Sequence, residues 1–233
     1  MNKIRKGFTL IELTIALAFI SVLLILVVVV TINIIGIYTK GQTLRNVNET
    51  GRSIIDDMRR TLGDAVPFNA QDNNHLIFYP KTATTMAEMT GGRFCTGSYT
   101  YAWNTPLAYN STPPNRYTGS NQPRLSVVKI TDPGGAFCAD PNGNITIPAP
   151  GDITTVLVSY DTLYIYQFAA FSTMDAASGQ TLYSISFVLG TKQGIADSYT
   201  TTNNASCTPP AGINSDFNYC AVNRFDFTTR AVK

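Results

Sequence analysis

The chain has 233 residues, of which 44% are hydrophobic and only 14% charged, and its formal net charge is +2. That size admits one domain with a sizeable core plus an appendage and argues against two large domains. The basic residues are scattered, so composition gives no support to a dedicated nucleic-acid binder, which needs a basic stripe to neutralise phosphates.

Residues 1–7 carry Lys3, Arg5 and Lys6 and end at Gly7, just before an apolar run. Positive charge on this side of a hydrophobic segment holds it in the cytoplasm, so everything after the segment is expected to face outward. Residues 13–39 contain no Asp, Glu, Lys or Arg. Their apolar part, residues 13–37, exceeds the about 20 residues a helix needs to cross a bilayer core. It is too long, and too rich in Val and Ile around its end, for an ordinary secretory signal peptide. An uncleaved signal anchor is the plain alternative. Glu12 lies at the start of the run among Phe8, Leu10, Ile11, Leu13 and Ile15. An acidic residue at the centre of a span costs roughly 2.5–3.5 kcal/mol, so a carboxylate here implies either a partner or a side chain snorkelling to the interface.

Taken together, Lys6-Gly7-Phe8-Thr9-Leu10-Ile11-Glu12-Leu13 resembles the prepilin signature of type IV pilins and type II secretion pseudopilins. The match consists of a short basic leader ending in Gly, an aromatic residue after the cut, a Glu four residues later and a long apolar helix. It covers only the leader and the first part of the helix. The resemblance implies that a prepilin peptidase cuts between Gly7 and Phe8 and methylates the new amine of Phe8. It also implies that Glu12 pairs with the Phe8 amine of a neighbouring subunit, and that other pilin subunits, a platform protein and a cytoplasmic assembly ATPase are the partners. The implied life cycle begins as a single-pass protein of the cytoplasmic membrane with its head outside and ends in a cell-surface or periplasmic filament.

Beyond the apolar run, Leu44, Val47, Ile54, Ile55, Met58 and Leu62 recur at helical spacing with polar residues between them, which predicts an amphipathic continuation of the same helix. Gly36, Gly41 and Gly51 are points where it could bend or melt, and Pro67 marks its end just after Gly63. A helix from Phe8 to Leu62 would be about 80 Å long. Arg59 and Arg60 are expected to pair with Asp56 along the helix. This segment, followed by a β-rich region, is similar to minor pilins of the J or W type.

Strands are predicted at residues 76–79, 125–130, 154–160, 163–168, 182–189 and 225–229 from their β-branched and aromatic content. In the fifth of these, Tyr183, Ile185, Phe187 and Leu189 alternate with Ser184, Ser186 and Val188. The fold class is therefore α+β: a long N-terminal helix packed on an antiparallel, β-rich head with long loops. Four segments follow: a leader (1–7), a transmembrane or filament-core helix (8–38), an amphipathic half (39–66) and the head (67–233). Residues 86–122, with Gly91-Gly92 and Pro113-Pro114, read as one long loop. Its Tyr99, Tyr101, Tyr109 and Tyr117 either pack that loop onto the sheet or form a binding surface, for which Arg93, Arg116 and Arg124 would supply charge.

All four cysteines, Cys95, Cys138, Cys207 and Cys220, lie beyond the apolar run. An even count without a Cys-x-x-Cys pair, and with His75 remote as the only histidine, points to disulfides rather than a metal site, and so to an oxidising compartment. Three pairings are open; nearness in sequence favours Cys207 with Cys220 and leaves Cys95 with Cys138. The stretch from Cys207 to Cys220 looks like the disulfide-bounded loop near the end of many pilins.

No phosphate-cradling motif is present, Asp132, Asp140, Asp152 and Asp161 match no continuous calcium loop, and a single His makes a Ser-His-Asp set hard to argue. Neither enzyme activity nor a cofactor or metal is expected. The function expected first is that of a structural filament subunit, a minor pilin. The alternatives are a minor pseudopilin of a type II secretion system, a pilus-tip binding module for adhesion or DNA uptake, and a signal-anchored exported enzyme.

Overall fold

The computed structural model describes residues 9–72, 74–80, 88–110, 117–119, 125–139, 145–151, 153–159, 162–175, 179–191 and 220–231. Its first element is a helix, α1, running without a break over Leu10–Gly63. At 1.5 Å per residue its 54 residues extend about 80 Å. An uninterrupted run of Leu, Ala, Ile and Val with no proline satisfies its own backbone groups in helical form, which is the form an apolar environment demands. At the far end the Asp64 N–H turns back onto the carbonyls of Arg60 and Leu62, and the chain leaves the helix through Pro67. Gly36, Gly41 and Gly51 all lie inside the helix, which does not melt at any of them.

Among the described residues the head contains three sheets. The strands β1 (Leu76–Tyr79), β2 (Gly91–Cys95), β3 (Tyr99–Asn104), β5 (Leu125–Thr131) and β7 (Thr154–Ser159) form an antiparallel sheet in the order β1-β2-β3-β5-β7. A second antiparallel sheet has the order β10-β9-β8, from Val222–Ala231, Thr181–Gly190 and Tyr164–Met174. A short helix α2 (Leu107–Asn110) and a parallel pair, β4 (Thr118–Gly119) with β6 (Thr146–Ile147), complete it. The chain is thus α+β.

The reading of residues 86–122 as one loop is corrected here, because β2, β3, α2 and β4 all lie within it. Gly91-Gly92 suggested a turn, yet both glycines are strand residues that make room for a neighbour. A Cβ at Gly92 would enter the indole of Trp103 on the adjacent strand. The glycine pair is a packing requirement of β2 rather than a break in it.

One core joins the helix to both larger sheets. From α1 it takes Val47, Ile54, Met58 and Leu62; from β2, β3 and β5 it takes Phe94, Tyr101, Trp103 and Val127; from β8, β9 and β10 it takes Phe168, Ile185, Phe187 and Phe225. Each large apolar side chain buried this way contributes about 1.5–3 kcal/mol relative to exposure. Aromatic rings interlock across the layers, with Trp103 and Phe168 at 4.7 Å and Phe94 and Phe168 at 5.4 Å between centroids. A smaller cluster, including Tyr117, Leu125, Val128, Ile130 and Ile147, occupies the other face of the five-stranded sheet.

Candidate functional site

The helix has two halves with opposite surroundings. From Val47 onward one stripe is sealed against the head, whereas between residues 10 and 38 every large apolar side chain is exposed, from 47% at Leu23 to 81% at Leu10. The exposure goes all round the helix, so no single seam accounts for it. A soluble monomer rarely displays a continuous apolar surface of this extent. By length and composition the segment can cross a membrane.

Glu12 stands at the start of this segment and is part of a capping box. The Thr9 N–H and the Thr9 hydroxyl both donate to Glu12 Oε2, at 2.9 and 2.8 Å, while the Glu12 N–H donates to Thr9 Oγ1 at 3.4 Å. The box satisfies backbone donors that a helix start otherwise leaves open. Thr9 is the residue the sequence reading passed over, although Thr-x-x-Glu ahead of an apolar run is the signature of such a box. The carboxylate therefore has a partner within its own chain, and Oε1 has no hydrogen bond among the described residues. Gly7 and Phe8, the expected cleavage and methylation positions, lie outside the described residues.

Where the helix meets the head, a polar cluster links the two. Lys129 Nζ donates to Asp57 Oδ1 at 3.0 Å and to Thr61 Oγ1 at 2.8 Å. The Tyr101 hydroxyl donates to Asp57 Oδ2 at 2.7 Å and lies 2.8 Å from Thr61 Oγ1. Burial pushes the Tyr101 phenol well above its ordinary value, so it stays a neutral donor. Lys129 also lies 4.3 Å from the centre of the Tyr99 ring. The expected pairing of Arg59 and Arg60 with Asp56 is not formed; Arg59 instead lies over the Phe227 ring at 5.5 Å, an aromatic face that β10 brings to the helix.

The aromatic residues of the supposed loop are mostly structural. Tyr101, Trp103 and Tyr117 are buried, and Arg93 is buried with its guanidinium 5.9 Å from the Tyr117 ring centre. Burial pushes the Tyr117 phenol up to about 12, with Arg93 opposing the shift. A binding surface made of Arg93, Tyr101 and Tyr117 is thus not formed. Tyr99 is half-buried, while Arg116, Arg124 and the Tyr109 side chain lie outside the described residues.

Cys95 and Cys138 are joined in a disulfide, with Cα atoms 6.3 Å apart. Cys220 is also disulfide-bonded, and Cys207, its expected partner, lies outside the described residues. His75 stacks on Phe68 at 4.2 Å, with Nδ1 2.8 Å from the Cys95 carbonyl oxygen, which makes it a packing residue. Asp132 is buried and accepts from Thr100 Oγ1 and from the N–H groups of Ala136 and Phe137, so its carboxylate organises a turn. Asp140, Asp152 and Asp161 lie outside the described residues, among which no cluster of His, Cys, Asp or Glu could hold a metal ion.

Comparison with protein-family models, with curated proteins and with solved structures finds no match for this chain.

Proposed function

We propose that the chain is a structural subunit, a minor pilin, of a type IV pilus-like filament, released from its leader after Gly7 and assembled through its N-terminal helix. The observation that carries this reading is the division of α1. Its polar half is locked into the head, while its apolar half projects clear of the head with every large apolar side chain uncovered. Lipid covers such a surface before assembly, and the same surface on neighbouring subunits covers it afterwards. The resemblance of residues 6–13 to a prepilin cleavage signal supports the same conclusion.

In this reading cleavage creates a charged amine at Phe8, four residues before Glu12. The capping box leaves Oε1 of Glu12 open to accept the amine of a neighbour. Breaking a buried pair of opposite charges leaves one of them uncompensated, at about 3–5 kcal/mol, so the pair sets the register between otherwise slippery helices. Glu12→Ala is accordingly expected to leave the subunit in the membrane and keep it out of filaments.

The deciding experiment is the mass of the N-terminal peptide of the protein made in cells that contain the matching prepilin peptidase, set beside a peptidase-deficient control. A methylated Phe8 start in the first and a Met1 start in the second is the expected result. A Met1 start in both reduces the helix to a signal anchor and removes the filament reading.

A further inference from the structure

Residues 13–39 of α1 include six polar side chains, Thr14, Ser21, Thr31, Asn33, Tyr38 and Thr39. Five make a hydrogen bond within the helix itself. The hydroxyls of Thr14, Ser21, Thr31 and Thr39 donate to the carbonyls of Ile11, Leu17, Val27 and Ile35, at 2.8–3.0 Å. The Tyr38 hydroxyl accepts from Gln42 Nε2 at 2.9 Å. Asn33 is the exception: its carboxamide is exposed and makes no hydrogen bond among the described residues.

An amide with two donors and an acceptor is costly to hold unbonded in hydrocarbon. Glu12 and Lys40, the charged residues that bound the span, are equidistant from residue 26. Asn33 is seven residues past that point, about 10 Å from the mid-plane and inside the hydrocarbon half-thickness of about 15 Å. A side chain with one methylene does not reach the interface from there. One turn further on, on the same face, Gly36 has no side chain, and small residues at such a position let a second helix approach closely.

We propose that Asn33, with Gly36, is a docking point between two copies of this chain in the membrane. Two copies inserted by the same charge bias run parallel at the same depth, which puts Asn33 opposite Asn33. The carboxamide is self-complementary, since each can donate to the other and accept from it, whereas a lipid tail offers it nothing. A lone asparagine used this way also specifies register and partner number in helix pairs. The inference rests on the membrane-inserted part of the proposed function and is independent of incorporation into a filament.

The test uses the full chain, labelled with donor and acceptor dyes and reconstituted in phosphatidylcholine vesicles, with self-association read from energy transfer as protein density is varied. Asn33→Val is expected to weaken association about three- to thirtyfold, the span reported by interhelical side-chain hydrogen bonds. Asn33→Gln should retain most of it, Gly36→Leu should lower it, and Ser21→Val, whose hydroxyl is already satisfied, should not move it. Association of Asn33→Val equal to that of the unaltered chain, or a chain monomeric at every density, overturns the inference. Alkaline carbonate extraction of the same vesicles separates the two readings. A chain that stays in the membrane while Asn33→Val changes nothing defeats the docking point alone, and a chain that is extracted defeats the membrane reading with it.

Discussion

Gly51 and Gly41 look alike in the sequence and behave oppositely in the fold. A methyl group at Gly51 would fall inside the ring of Phe225, which is itself stacked on Phe187 at 5.2 Å. A methyl group at Gly41 would meet nothing within 4 Å. Gly51→Ala is therefore expected to lower stability by about 1–3 kcal/mol through overpacking, despite a helix-propensity gain of about 1 kcal/mol. Gly41→Ala should raise stability by about 0.4–1 kcal/mol. Urea denaturation of the detergent-solubilised chain measures both, and shifts of the same sign would show that Phe225 does not rest on the helix as described. The difference was not legible in the sequence, because it depends on a ring brought in from β10. The role of Thr9 was legible, since its capping partner lies three residues away.

At the scale of elements, local patterns are legible in the sequence and most long-range ones are not. The bounds of β1 agree with the expected residues 76–79, and in β9 Tyr183, Ile185, Phe187 and Leu189 are buried while Ser184 is exposed, because alternation is written within the strand itself. The hairpin β2–β3 escaped notice, since Gly91 and Gly92 take on their meaning only when Trp103 is in place. The disulfide that ties β2 to the turn after β5 differs from the hairpin in this respect: it joins Cys95 and Cys138, the pair that nearness in sequence left over, across 43 positions. Loop-closure entropy for a loop of that length corresponds to about 4 kcal/mol. The double change Cys95→Ala with Cys138→Ala is expected to lower unfolding stability by about 2–4 kcal/mol while preserving the far-ultraviolet circular dichroism spectrum. A loss below 1 kcal/mol would mean that the bonds from Ala136 and Phe137 to Asp132 hold the turn without the covalent link.

As a whole, the molecule is a head gripping one half of a helix whose other half, among the described residues, leaves every large apolar side chain exposed. Deleting residues 1–38 is accordingly expected to yield a head that elutes as one species without detergent, whereas the full chain should need detergent or lipid. Size-exclusion chromatography decides the matter, and aggregation of the truncated head would point to a further apolar surface, with exposed Phe171 and Leu182 on the three-stranded sheet as the first suspects. The grip itself closes late. Asn223 of β10 donates to Asn48 of α1 across 175 positions of chain, and Phe225 on the same strand covers Gly51. Synthesis at about 5–20 residues per second separates the emergence of these partners by roughly 9–35 seconds. Throughout that interval Val47, Ile54, Met58 and Leu62 lack part of their cover, so the nascent helix carries an open apolar stripe until the strand that shields it has been made.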